Sequence, residues 1–283
     1  MSGEAKRAPA DDLRWTRAVP GRTRTPVTVG SVTIGGEAVV LAAGPCAVEP
    51  GADLDALARD LAAAGASLLR GGAYKPRTSP YSFQGLGPEG LERLAAAGRA
   101  AGLPVVTEVL DPRDVDLVAS HAAMLQLGSR SVQNVPLLRE VGRSGKPVLL
   151  KRGMMTTVYE WLSAAEYVLE AAGGSAPVVL CERGIRTFED ATRNTLDLNA
   201  VALVRVLSHL PVVVDPSHGT GRADLVPDLC RAAVAVGADG LLVEVHPDPA
   251  HALSDGDQTL DVAAFAAMRR SCGPVAAAVG RTL

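Results

Sequence analysis

Three features of the sequence predict an α/β chain folded as a closed (β/α)8 TIM barrel. Eight short apolar runs recur along it, an Ala/Leu-rich segment with helical spacing follows each run, and polar residues gather at one end of the runs. Runs this continuously apolar read as parallel strands buried on both faces. Eight alternating units suit closure into a barrel, and 283 residues suit one such domain. A doubly wound open sheet is the alternative.

In chain order, residues 1–25 are polar, with six Lys/Arg against Glu4, Asp11 and Asp12, and are expected to form a flexible arm. Trp15 is the exception, suited to pinning the arm to a neighbouring surface. Residues 26–36 read as a hairpin, because Val27, Val29, Val32 and Ile34 bracket the turn signal Gly30-Ser31. The barrel runs are placed at 39–44, 67–71, 104–108, 124–128, 147–151, 177–181, 211–215 and 240–245. Pro104, Pro147, Pro177 and Pro211 open four of them, where a missing N–H is least costly. Gly65, Gly102, Gly145 and Gly237 follow helical segments, as helix-stop residues do. A single catalytic domain over residues 26–283 is expected.

Composition narrows the function. A net charge of −3 excludes a general affinity for nucleic acid or membrane, which needs a basic surface. Four unpaired cysteines, no apolar leader and no spanning segment point to a cytoplasmic protein.

The polar residues fall where a barrel gathers its active site, at the carboxyl ends of the runs. Arg70, Lys75, Arg77, Arg130, Lys151, Arg183 and Arg186 all lie there, with too few acids beside them to neutralise seven cations. Ligands carrying phosphate and carboxylate groups would do so. Cys46, His218 and Glu244 lie beyond the first, seventh and eighth runs, and with a loop aspartate, Asp255 or Asp257, they form a mixed S, N and O set. Such a set suits a divalent transition metal (Mn, Fe, Co or Zn) and not magnesium. His246 is placed beside Glu244, and Cys181, Cys230 and Cys272 read as structural. No glycine-rich nucleotide motif and no nucleophile elbow is present.

Six motifs in order carry a family resemblance: AGPCAVE at 43–49, LRGGAYKPRTSPYSFQGLG at 69–87, LLKRG at 149–153, LCERGIRTF at 180–188, DPSHGTGR at 215–222 and VEVHPDP at 243–249. Together they resemble the 3-deoxy-7-phosphoheptulonate (DAHP) synthases, in particular the short subclass related to the 3-deoxy-octulosonate 8-phosphate synthases. Two segments depart from the pattern: Gly221-Arg222-Ala223, where GRR is usual, and Ser129-Arg130-Ser131, where Ala-Arg-Asn is usual. The resemblance implies a hairpin that closes the bottom of the barrel. It also implies condensation of phosphoenolpyruvate with erythrose 4-phosphate, the first step of the shikimate route. Under it Arg130, Lys151 and Arg183 clamp the phosphate of phosphoenolpyruvate, and Arg70 and Lys75 meet its carboxylate. Arg77, Thr78 and Arg186 take the aldose phosphate. Lys75 protonates the emerging alkoxide and Glu108 orients the water. The family's SDG motif selects Asp255 as the fourth ligand beside Cys46, His218 and Glu244.

A homodimer or homotetramer is expected. So is the absence of a fused regulatory domain, since little chain precedes the first barrel run; a separate partner enzyme is left to confer control. The alternatives are a synthase acting on another aldose phosphate, including the octulosonate relatives, and a non-catalytic barrel that binds phosphorylated metabolites.

Overall fold

The computed structural model describes residues 13–18, 20–21, 24–77 and 79–283. Strands β1 (Val27–Val29) and β2 (Val32–Ile34) pair antiparallel as the expected hairpin. The barrel strands are β3 (Val40–Gly44), β4 (Leu68–Arg70), β5 (Val105–Glu108), β6 (Met124–Leu127), β7 (Val148–Lys151), β8 (Val178–Glu182), β9 (Val212–Val214) and β10 (Gly240–Glu244). They close in the order β10-β3-β4-β5-β6-β7-β8-β9, and every pairing is parallel. Each strand lies within one residue of the run read from the sequence.

The outer layer is α1 (Leu54–Ala63), α2 (Pro88–Ala101), α3 (Val115–His121), α4 (Val135–Arg143), α5 (Val158–Ala171), α6 (Leu198–Leu207), α8 (Val226–Ala235) and α9 (Val262–Ala278). A short helix, α7 (Pro216–Thr220), is inserted after β9. Most helices start on a side-chain cap: Asp53, Asn134, Thr157, Asp197 and Asp261 each accept a bond from a first-turn N–H. The four prolines sit just before β5, β7, β8 and β9. Their carbonyls still accept bonds from the neighbouring strand, so only the missing donor is lost.

Strand residues alternate between two cores. Val40, Ala42, Leu68, Val106, Met124, Leu149, Val179, Cys181, Val213 and Leu242 pack together inside the barrel. Leu41, Leu69, Leu125, Leu150, Leu180, Val214 and Val243 face the helices instead. Hairpin residues Val27, Val29 and Ile34 join the inner core. The prolines that precede β5 and β9 pack on the hairpin turns, so β1 and β2 plug the amino-terminal end of the barrel.

Of the expected arm, residues 1–12, 19, 22 and 23 lie outside the described residues. Leu13 is buried, and the backbone N–H groups of Trp15 and Thr16 donate to Glu166 Oε1 on α5 at 2.9 and 2.7 Å. His209, just past α6, is buried beneath this segment, with Nδ1 2.6 Å from Thr25 Oγ1 and Nε2 2.7 Å from the Trp15 carbonyl. Among the described residues no helix is long and apolar enough to cross a membrane.

If the hairpin is a packed plug, Ile34→Ala should cost about 2–5 kcal/mol, the range for truncating a buried aliphatic side chain. Thermal unfolding reads this as a lowered midpoint, with Michaelis constants unchanged because the plug lies at the end opposite the polar cluster. An unchanged midpoint would mean the plug is loosely held.

Candidate active site

Every second residue of a strand shares a face. The inner faces therefore run from the apolar layer to a polar one in a single step: Leu68 to Arg70, Val106 to Glu108, Met124 to Gln126, Leu149 to Lys151, Cys181 to Arg183, Val213 to Asp215 and Leu242 to Glu244. All seven polar residues are buried at the carboxyl-terminal mouth. Desolvating so many charged groups is costly unless they pair with one another or serve a ligand. The mouth opens into a cleft of about 310 Å3 lined by Lys75, Arg77, Glu108, Arg130, Lys151, Arg183, His218 and Asp255, among others.

Four donors meet on one side of the cleft. The ligand atoms of Cys46, His218, Glu244 and Asp255 lie within 4.8 Å of one another. Cys46 follows β3, His218 sits in α7, Glu244 ends β10, and Asp255 lies in the loop beyond β10. The His218 ring turns Nδ1 to Asp215 Oδ2 at 2.8 Å and Nε2 toward Glu244 Oε1 at 3.5 Å. Burial lowers the His218 pKa to about 4, so the ring is neutral. Its proton belongs on Nδ1 against Asp215, which leaves the Nε2 lone pair facing the other donors. Burial would raise the Glu244 carboxyl, but His218, Arg70 and Lys75 outweigh it and hold the pKa at about 2. Asp255 is held below its ordinary value as well: burial is outweighed by the Cys46 thiol, His218 and Arg193. Burial, reinforced by Glu244, pushes the Cys46 thiol up to about 12. Its Sγ donates to Asp255 Oδ2 and accepts from Lys75 Nζ, both at 2.9 Å. A neutral imidazole, two ionised carboxylates and a thiol at this spacing fit a divalent metal of the transition series. Asp257, the other aspartate compatible with the spacing, is not part of the cluster.

The cations line the rest of the mouth, and two are matched by acids. Arg70 reaches Glu244 Oε1 at 2.7 Å, and Lys151 reaches Asp215 Oδ2 at 2.6 Å. The sequence reading held that too few acids lie beside the seven cations to neutralise them all; Asp215, just past β9, and Glu244, at the end of β10, pair with these two. Arg183 is different. Burial, and further the neighbouring Arg193, lowers its pKa, with Asp215 offsetting only part. Among the described residues nothing bonds the buried Arg70 Nε. Burial would lower the Lys75 pKa, but Cys46 and Glu244 raise it more, so the ammonium is charged. Arg77 is half-buried on the cleft, Arg130 lies at the rim with NH1 3.3 Å from the Pro76 carbonyl, and Thr78 lies outside the described residues. Arg186 is exposed and does not line the cleft; its backbone N–H donates to the Met154 carbonyl. Tyr81, in the loop after β4, stands in solvent. Glu108 accepts a bond from Gln126 Nε2 at 3.2 Å. A Cβ at Gly128 would run into Glu108 Oε1, so any side chain there would push the Glu108 carboxylate aside.

Sequence reasoning missed Asp215 as a partner of both Lys151 and His218, and it missed Arg193 altogether. It also missed a buried network on the outer side of the barrel. Arg152 NH1 lies 3.0 Å from Glu182 Oε2 and 2.8 Å from Asp197 Oδ2, and Glu182 Oε1 accepts the Gly184 N–H at 2.6 Å. Parity was the available signal. Arg152 and Glu182 each neighbour an inward cation, Lys151 or Arg183, so they must point outward and need partners among the helices.

Residues 22–275 match the model of the DAHP synthetase I family. Over 256 residues the chain is 53% identical to the phospho-2-dehydro-3-deoxyheptonate aldolase of Thermotoga maritima, covering 90% of this chain and 75% of that one. It is 37% identical to a 2-dehydro-3-deoxyphosphooctonate aldolase of Syntrophotalea carbinolica, over 82% of this chain and 89% of the relative. A crystal structure of the Thermotoga maritima DAHP synthase superposes with a TM-score of 0.87 at 51% identity, over 92% of this chain and 75% of that one. A truncated form of 3-deoxy-D-arabino-heptulosonate 7-phosphate synthase from the same organism gives 0.84 at 47% identity, over 92% and 94%.

The outer network gives a stability test. Arg152→Met strands the Glu182 carboxylate in the core, and losing one partner of a buried ion pair costs about 3–5 kcal/mol. Burial already raises the Glu182 pKa above the ordinary 4.5, and the variant should raise it further. A carboxyl raised on folding binds more protons folded than unfolded, so stability falls as pH rises through that window. The loss in denaturation midpoint should therefore shrink as pH is lowered from about 8 to about 5. A loss that is small, or that does not vary with pH, would contradict the pairing.

Proposed function

The chain belongs to the DAHP synthetase I family, and on that premise we propose that it is a DAHP synthase: it joins phosphoenolpyruvate to erythrose 4-phosphate and releases phosphate. One observation carries the site assignment. Donors from four separate segments, Cys46, His218, Glu244 and Asp255, meet within 4.8 Å beside a cleft walled by cations. A divalent transition metal held by those four supplies Lewis acidity toward an aldehyde oxygen.

The chain's own groups do the rest. Arg130, Lys151 and Arg183 bind the phosphate of phosphoenolpyruvate. The lowered pKa of Arg183 supports this, because burial strips the guanidinium of water and an incoming dianion would supply the counter-charge that it lacks. Arg70, with its unpartnered Nε, and Lys75 receive the carboxylate. Held this way, C3 of phosphoenolpyruvate attacks the aldehyde carbon. Lys75, charged and adjacent to Cys46, donates a proton to the alkoxide that forms. Glu108, buried against Gln126 and open to the cleft, orients the water that adds at C2, and phosphate leaves from the resulting hemiketal. Positioning and charge stabilisation of this kind contribute several kcal/mol of barrier lowering. Arg77, with Thr78, takes the aldose phosphate. The exposed Arg186 reaches it only through a movement of its loop. A homodimer or homotetramer working in the cytoplasm, with control conferred by a separate enzyme, completes the proposal.

Three measurements test it. Chelation should abolish phosphate release and a divalent transition metal should restore it; Cys46→Ala that keeps full activity and full metal content would sink the ligand assignment. Arg77→Ala should lower kcat/KM for erythrose 4-phosphate by the equivalent of about 1.5–3 kcal/mol, one charge-assisted contact, and leave the phosphoenolpyruvate KM intact. The unaltered protein should prefer erythrose 4-phosphate to arabinose 5-phosphate. Equal or better turnover of the five-carbon sugar would move the protein to the octulosonate branch.

A further inference from the structure

Asp255 is the one non-glycine among the described residues with a positive φ, 55°. Its carboxylate is aimed at the cluster from a left-handed loop position, a conformation that needs support from its surroundings. That support comes from Arg193, in the β8–α6 loop. Arg193 NH1 donates to Asp255 Oδ1 at 3.0 Å and to Gln258 Oε1 at 2.8 Å. Buried Gln258 in turn donates from Nε2 to Glu244 Oε2. The direction of this chain is fixed by chemistry. A guanidinium only donates and a carboxylate only accepts, so the amide between them must turn its oxygen to Arg193 and its nitrogen to Glu244.

One guanidinium nitrogen thus holds two of the four donors, Asp255 directly and Glu244 through Gln258. The neighbouring Asn194 reaches a third element, its Nδ2 donating to the His218 carbonyl at 3.0 Å. Arg193 can lie this close to α7 because residue 221 is glycine: its φ is +68°, and an added Cβ would come within 2.6 Å of the Arg193 Cβ. The two carboxylates lie close together in the cluster, and Asp255 works against the cations that hold the Glu244 pKa down. Without an anchoring cation on the side away from the donors, either could rotate out of the cluster.

We propose that Arg193 and Gln258 form a positioning relay that fixes the Asp255 and Glu244 carboxylates in metal-binding orientation and so sets the affinity of the site. The role presupposes that the four-donor cluster holds a metal, and the test separates the two claims. Cobalt(II) is titrated into metal-stripped, full-length protein without substrates, and the sulfur-to-cobalt charge-transfer and d–d bands are followed. The unaltered protein should develop both, and Cys46→Ala should lose the charge-transfer band. Arg193→Met and Gln258→Met should each weaken cobalt binding about 10- to 100-fold, the usual effect of removing a group that orients a ligand, and shift the d–d bands. Combining them should weaken binding little beyond the worse single variant, because the two residues act in series. Arg193→Lys should recover part of the loss. Variants with unchanged melting curves, dissociation constants and bands would overturn the relay, as would losses that multiply in the double variant. If Gln258→Met fails to fold, Arg193→Met decides alone, since its side chain is 39% exposed at the rim. A parent protein without a cysteine-dependent band would overturn the metal reading and the relay with it.

Discussion

The two-residue period of the barrel strands is the constraint from which the rest of the structure follows. It fixes which residues fill the inner core, which meet the helices, and which arrive at the mouth. A slip of one residue in any strand would put a charge such as Lys151 or Glu244 among the helices and an apolar side chain in the cleft. Register and active site are therefore the same property of this chain, and parallel pairing all the way round the barrel holds both.

The charges delivered to the mouth divide into two territories. On the side of Cys46 and Glu244, carboxylates and soft donors predominate, with Arg70 and Lys75 as their local cations. On the side of Arg183, burial holds the guanidinium pKa down and the neighbouring Arg193 adds to it, with Asp215 offsetting part. The first suits a divalent ion and the second a phosphate. Asp215 sits at the junction, touching Lys151 from one territory and His218 from the other. Its own pKa shows the balance: burial would raise it, but His218 and Lys151 together hold it well below the ordinary carboxylate range.

Much of this was legible in the sequence. The eight runs were visible because parallel strands covered on both faces are continuously apolar, and their ends were visible because proline and glycine punctuate them. The polar residues at the carboxyl ends marked the site, Cys46 among them, and the family's SDG motif selected Asp255, which lies in a loop where spacing has no fixed geometry. What stayed hidden was pairing between distant segments. Nothing in the local sequence says that Lys151 meets Asp215 or that Arg193 crosses to Asp255, 62 residues away. Arg186 was grouped with the mouth because it follows β8 closely, yet the loop turns it to solvent. His209 gave no sign that Trp15 and Thr25 would bury it at the far end.

The proposed function requires one end of this barrel to hold a metal and the phosphate of phosphoenolpyruvate side by side. A crystal structure of the protein grown with manganese and phosphoenolpyruvate, with anomalous scattering measured at a wavelength that identifies the metal, tests it most directly. The expected map shows the ion bonded to Cys46 Sγ, His218 Nε2 and carboxylate oxygens of Glu244 and Asp255, with the phosphate against Lys151 and Arg183. An ion bound elsewhere, or a phosphate lodged away from that clamp, would contradict the account.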